Sequence, residues 1–415
     1  MTSPDAAPGG PAAGSDPGPA GRDELAGPLD GILVADFSRV LAGPLATMTL
    51  ADLGATVIKV EQPNGGDETR SWGPPWSAHG ATYYESVNRG KRSVTLDLTD
   101  PDDLTIAREL THRADVVVEN FKPGAMDRFG IGYHAVVAAN PGIVYCSVSG
   151  FGSLGGRDLL GYDFLVQAMG GLMSITGRAD DEPTKVGVAL VDVITGKDAV
   201  IGILAALAGR QRTGRGDRIE VDLLSSLLAG LVNQGQACLQ TGGPGVRMGN
   251  EHPSIAPYET LHCADAAIAV ACGNDGQFRR LAETVGRPEL ATDPRFVDNA
   301  ARVAHRAELR AALEERLATA DADHWVARFT AARVPAGRVN TIPEAYALAE
   351  RLGLAPTVEV GEGWTRQARH PVRWHGYRTA TPTPPPALGA DNRQVRDWLA
   401  QGTDDLADDT GERPR

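Results

Sequence analysis

The sequence predicts an α/β protein with a parallel sheet, helical crossovers and a smaller second domain. Two observations carry this. Short apolar strand-like runs alternate with helical stretches over the first half of the chain. The length of 415 residues, 42% hydrophobic, is enough to bury a core in each of two domains.

Taken in order, residues 1–28 hold six Pro, six Gly and six Ala and almost no large apolar side chain. Such a stretch cannot offset its ordering entropy, so a disordered leader is expected. Residues 32–37 then read as a buried strand, 44–53 as a helix with Pro44 in its first turn, and 56–60 as a second strand. Strands at 92–98, 115–118 and 143–148 and a helix at 101–111 continue the alternation. A strand at 185–191 is expected to run into an apolar helix at 199–208, closed by the turn at Gly214-Arg215-Gly216, with another strand and helix following to about Leu239. The resulting organisation is a large domain at 29–225, a linker at 226–255, a small domain at 256–340, and a second linker returning to the large domain at 341–400. Its Pro-rich part at 382–386 precedes a final helix opening near Asp391, and a loose tail covers 401–415.

Composition narrows the function. A net charge of −13 argues against nucleic-acid binding, which rests on a basic surface. No apolar run of spanning length and no basic-then-apolar leader occurs, so a cytoplasmic protein without membrane partners is the default expectation. Cys146, Cys238, Cys263 and Cys272 form no C-x-x-C pair and are read as buried thiols. The histidines show no metal-binding spacing, no G-x-S-x-G elbow occurs, and the loop 38–44 has one glycine where a dinucleotide fingerprint needs three. Metal sites, serine hydrolysis and nicotinamide binding are therefore not expected.

What remains is a carboxylate and two basic clusters. Asp192 stands at the end of the expected strand and before the long helix, where open α/β sheets place their ligands. A helix N-terminus favours its ionised form, and a desolvated carboxylate is a covalent nucleophile. By spacing alone, a helix N-cap is the first reading of Asp192, ahead of a nucleophile. Arg89 and Lys91 in one loop, and Lys122 with Arg128 in and after another, would together suit a ligand with several phosphates; either cluster alone is readable as a solvated face.

Several motifs then carry a resemblance: 29–31 with the strand containing Asp36 and Phe37, 51–55 before 57–61, Asn88 with Lys91 to Ser93, 118–124, and 213–216. In this order, over about residues 29–400, the chain resembles the class III CoA-transferase family. The resemblance implies a Rossmann-like large domain built from both ends of the chain, a smaller domain between long linkers, and a homodimer of interlocked rings. It implies that Asp192 is the nucleophile, acylated first as an anhydride and then as a CoA thioester. It further implies coenzyme A contacts at Val40, Leu41 and Ala42, at Leu96, Asp97 and Thr99, at Asn120, Phe121 and Lys122, at Arg128, and at Gly161 and Tyr162. Coenzyme A would enter as the acyl-CoA substrate, with no permanently bound cofactor. Gln62 and Thr99 depart from the arginine and lysine of formyl-CoA transferases, and Arg89, Lys91 and Lys122 are candidates for the redistributed phosphate contacts.

Among the family's activities, racemases of 2-methylacyl-CoA use a histidine where this chain has Tyr162, and an unperturbed tyrosine is a poor base at neutral pH. The glycine-rich loop of formyl-CoA transferases is absent at 249–255. Residues 252–258 and 273–278 look like the branch that takes succinyl-CoA as donor and a dicarboxylate or hydroxy acid as acceptor. A member that binds acyl-CoA without turnover is the alternative of another class, and the intact Asp192 counts against it.

Overall fold

The structure, a computed structural model, describes residues 27–377 and 381–401. All but the last two residues of the expected leader, and all but the first of the expected tail, lie outside these.

Six parallel strands form the main sheet: β1 (Leu33–Asp36), β2 (Thr56–Glu61), β3 (Lys91–Thr95), β4 (Val116–Glu119), β5 (Val144–Ser149) and β6 (Arg218–Asp222). They lie in the order β3-β2-β1-β4-β5-β6. Successive strand residues feed opposite cores, which is why the strands read as unbroken apolar runs. Val34, Val57, Val116 and Cys146 face one core, while Ala35, Ile58, Val117 and Tyr145 face the other.

Helix α1 (Ala42–Asp52) covers the first face with two later helices. Short α2 (Thr82–Glu85) precedes β3, and α3 (Pro101–Arg113), α4 (Ala125–Arg128) and α5 (Tyr133–Ala139) serve the second face. Asp100 caps α3 through the N–H groups of Asp102 and Asp103, and Pro101 stands at its first position. Then come α6 (Asp163–Met169), α7 (Leu172–Ile175), α8 (Leu190–Thr213), α9 (Leu223–Gly230) and α10 (Val232–Thr241). Helix α8 packs on α1 and α9, and ends at Gly214 with φ 66°, the left-handed stop expected of that turn.

The expected strand at 185–191 is not one. Residues 185–189 are irregular and exposed or half-buried, and α8 begins at Leu190. An apolar, β-branched run becomes a strand only where a sheet edge receives it, and β6 already follows β5. Asp192 therefore sits within the first turn of a helix.

Residues 258–338 build their own core around Phe278, Leu281, Leu313, Trp325 and Phe329. There β7 (Tyr258–His262), β8 (Ala267–Ala271) and β9 (Ala336–Arg338) make an antiparallel sheet, joined by α11 (Asp275–Thr284), α12 (Asn299–Ala304), α13 (Arg306–Leu317) and α14 (Ala322–Ala331). After α15 (Ile342–Arg351) and the short pair β10 (Thr357–Val358) and β11 (Gln367–Ala368), the chain returns to the main sheet. Ser93 N donates to Asp391 Oδ2 and Thr95 N to Asn392 Oδ1, both at 2.7 Å, and α16 (Asn392–Gln401) buries Val395 and Trp398 in the second core.

The reading of all four cysteines as buried thiols needs amending. Cys146 and Cys272 are buried, but Cys263 is only half-buried and Cys238 is exposed on α10. Among the described residues no helix is long and apolar enough to cross a membrane.

Candidate active site

In a sheet of this order the direction of winding reverses between β1 and β4, and the loops leaving their carboxyl ends part to leave a crevice. A polar side chain clasps the two loops together. Arg39 N donates to Asn120 Oδ1 at 2.9 Å, and Asn120 Nδ2 donates to Arg39 O at 2.7 Å. The next residue, Val40, holds φ 70°, a costly conformation for a β-branched side chain. Its N–H donates to both carboxylate oxygens of Asp67, at 3.2 and 3.3 Å.

Beneath these loops lies a set of charges with no solvent exposure. Lys59 Nζ donates to Asp67 Oδ2 and Ser38 O, each at 2.9 Å. Lys91 Nζ donates to Asp36 Oδ2 at 3.1 Å and to Pro44 O and Asn88 Oδ1 at 2.9 Å. Burial works against the charge on Asp36, but Lys91 and then Lys59, with the hydroxyls of Ser38 and Thr47, hold its carboxyl down at about 2. Charge at the bottom of the crevice is thus compensated internally, and the loop above is fixed from below.

The crevice continues into a cavity of about 260 Å³ lined by nine of the expected residues: Val40, Leu41, Ala42, Asn120, Phe121, Lys122, Gly161, Tyr162 and Asp192. Two glycines permit this assembly. A Cβ on Gly196 would meet Ala42 O at 2.7 Å, so α8 approaches the start of α1 only without one. A Cβ on Gly161 would meet Gly150 Cα at 2.4 Å, where the 150s loop folds onto the segment leading to α6.

Asp192 is half-buried, in the first turn of α8, and does not cap it. Burial, then the neighbouring Asp163, push its carboxyl up to about 7. This reverses the expectation that the helix terminus would set its ionisation. Such a group is partly ionised at neutral pH, and its carboxylate is more basic, hence a stronger nucleophile, than an ordinary one.

Two other places compete for the role. Glu119 is also pushed up to about 7 by burial, but its cavity, about 50 Å³, has no room for a substrate, and it accepts the N–H of Phe121 at 2.9 Å. A larger cavity of about 850 Å³ lies between α1, α8 and residues 363–372. Its carboxyls are engaged: Asp52 pairs with Arg89 at 2.6 Å, and Glu85 accepts from the Ser77 hydroxyl.

The remaining expected residues are elsewhere. Arg89 and Lys91 stand at the amino end of β3, away from the carboxyl edge where the cavity opens, and both are buried in ion pairs. Their reading as phosphate contacts is corrected on that ground. Leu96 is buried, while Asp97 and Thr99 form an exposed turn closed by Thr99 N donating to Asp97 Oδ1 at 2.9 Å. Arg128 is exposed at the end of α4. The cavity's unforeseen charged members are Arg39, Glu68, Arg157 and Asp158. Arg39 reaches Glu68 at 2.5 Å and stacks over Phe121 at 5.2 Å, while Lys122 pairs with Asp158 at 2.9 Å. Arg39 lay inside a loop judged by its glycines alone, which is why its guanidinium was passed over.

Comparison with known proteins decides the family. A family model described as CoA-transferase family III matches residues 29–392, spanning the crevice, the cavity and Asp192. The chain belongs to CoA-transferase family III. Among proteins of this family, the succinate–glutarate CoA-transferase of Agrobacterium fabrum is 44% identical over 89% of this chain and 94% of its own length. The acetyl-CoA:oxalate CoA-transferase of Acetobacter aceti is 41% identical over 85% of this chain and 90% of its own. In three dimensions the chain is similar to a CAIB/BAIF family protein from Brucella suis, with a TM-score of 0.82 and 42% identity over 91% of this chain and all of that one. As a family III CoA-transferase the chain is an enzyme acting on CoA thioesters.

Proposed function

We propose that this enzyme moves coenzyme A from an acyl-CoA donor, succinyl-CoA foremost, to a dicarboxylate or hydroxy-dicarboxylate acceptor through covalent intermediates on Asp192. The observation that carries the proposal is a carboxyl raised to about 7 in a cavity at the sheet's switch point. Dicarboxylate acceptors are supported by the names of the two relatives, one taking glutarate and the other oxalate. Three cations on the cavity wall, Arg39, Lys122 and Arg157, suit a substrate with a second carboxylate and the phosphates of coenzyme A.

In the first step the Asp192 carboxylate attacks the thioester carbonyl, forming a mixed anhydride and releasing CoA thiolate. The thiolate attacks the aspartyl carbonyl and frees the donor acid, leaving an aspartyl-CoA thioester. The acceptor carboxylate then attacks that thioester and expels the thiolate again. Attack of the thiolate on the acceptor's carbonyl yields the new acyl-CoA and restores the carboxylate, so no proton is consumed overall. Each addition develops an oxyanion. No side chain caps α1, and Leu41 at its capping position and Ala42, its first residue, line the cavity, so their N–H groups are the proposed stabilisers. Coenzyme A would extend from here past Phe121 and Lys122 along the carboxyl edge toward the turn at Asp97 and Thr99, with Arg128 at the end of α4.

Incubation with succinyl-CoA and hydroxylamine is expected to convert Asp192 to a hydroxamate that peptide mass spectrometry locates. Asp192→Asn and Asp192→Ala should fold and lose transfer by several orders of magnitude. Turnover with Asp192 unmodified, or a variant near the native rate, would overturn the mechanism.

A further inference from the structure

The first turn of α8 carries the proposed nucleophile yet has no cap of its own. Ala189 stands at the capping position without a side-chain bond. The orphan N–H groups are met from another helix. Asp163, the first residue of α6, accepts on Oδ1 from Val191 N at 2.8 Å and from Asp192 N at 3.3 Å. Its Oδ2 accepts from Gln167 Nε2 at 2.6 Å, one turn along α6. Gln167 is fully buried, and its Oε1 takes the N–H of Val186 at 2.9 Å. One amide therefore fixes the rotation of the Asp163 carboxylate and ties down the irregular approach to α8.

A hydroxyl or amide would satisfy those two N–H groups equally well. A carboxylate adds a full negative charge beside Asp192. Left alone, the helix terminus would favour the Asp192 carboxylate and make it a weaker base; a second carboxylate bonded to the same N–H groups opposes that effect. Resting on the nucleophile reading, we propose that Asp163 is a positioning residue that holds the Asp192 turn through two hydrogen bonds and keeps its carboxylate reactive through charge.

Other ionisable groups surround the site. From α2 comes Tyr83, whose phenol is pushed up to about 12 by burial, then by Asp192 and Asp163. Arg39, Glu68, Lys122, Arg157 and Asp158 line the remaining walls, and Lys197 and Asp198 follow on α8 itself. Of the cations, Arg39 and Lys122 are countered by Glu68 and Asp158 in the ion pairs already described. Asp163 differs from the rest in being bonded to the backbone of Asp192.

Asp163→Asn keeps an acceptor oxygen and removes the charge. Its melting temperature should fall by a few degrees, because the new amide NH2 faces Gln167 Nε2, itself a donor, while the Asp192 carboxyl titrates about one pH unit lower. Carbon NMR of labelled aspartates reads this directly, with Asp192→Asn assigning the signal. The acid limb of kcat/KM should move by the same amount, and kcat above that limb should fall about threefold, as a less basic nucleophile requires. Asp163→Ala, which loses the acceptor too, should show the same shift and a further loss in kcat, with the KM for succinyl-CoA within about twofold of native. An Asp192 titration unmoved in both variants overturns the proposal. Hydroxamate at Asp192 with an unmoved titration defeats the role of Asp163 alone. A moved titration with no hydroxamate defeats the nucleophile and leaves the electrostatic link standing.

Discussion

At the scale of single residues, the acidity of Asp192 joins catalysis to stability. Its carboxyl binds a proton more tightly in the folded chain, at about 7, than the ordinary value of 3.8. The folded state therefore holds the extra proton between those values, and its contribution to stability is lost as pH rises through that window. The native melting temperature should fall from about pH 4 to about pH 7 relative to Asp192→Asn, which cannot ionise. Parallel curves in differential scanning calorimetry would show that Asp192 is not the group responsible. Over the same window the ionised nucleophile increases, so stability and turnover run in opposite directions. The sequence pointed to the residue through the family resemblance, since its spacing alone also fits a helix N-cap. Its setting was not legible, since the charge of Asp163 reaches it across 29 positions of chain.

At the scale of elements, apolar runs gave away the strands that a sheet receives on both sides, and Gly214 gave away the end of α8. The run at 185–191 misled because composition cannot say whether a neighbouring edge is open. The basic loop at 88–92 misled for a related reason. Sequence shows a cation near a strand, but only the register shows that Lys91 opens β3 and turns inward to Asp36. That pair lies wholly out of solvent beside Lys59 and Asp67. Removing one partner strands the opposite charge, a cost of about 3–5 kcal/mol. Lys91→Met should lower the unfolding free energy by that amount in a urea titration, whereas Arg92→Met, on the same strand but half-buried, should cost about 1 kcal/mol or less. Equal effects would mean that the buried network contributes nothing specific.

At the scale of the whole molecule, the described surface leaves apolar side chains that the chain does not cover. Val232 and Leu239 on α10 are 71% and 82% exposed, and Ile342 and Leu352, in α15 and at its end, are 75% and 63% exposed. The connections at 226–255 and 341–400 carry them, the same stretches read from the sequence as linkers. Apolar exposure of this kind marks a surface that associates, and a symmetric partner is the commonest solution for a soluble enzyme. The family resemblance supplies the form, two chains threaded through each other, which no periodicity in the sequence could disclose. If so, the folded protomer has no stable existence apart from its partner, and unfolding becomes concentration-dependent. Light scattering should give twice the mass of the 43.6 kDa chain at every concentration that retains activity. Diluted protein should lose mass and turnover together, and an active species of single-chain mass would remove the basis for the threaded dimer.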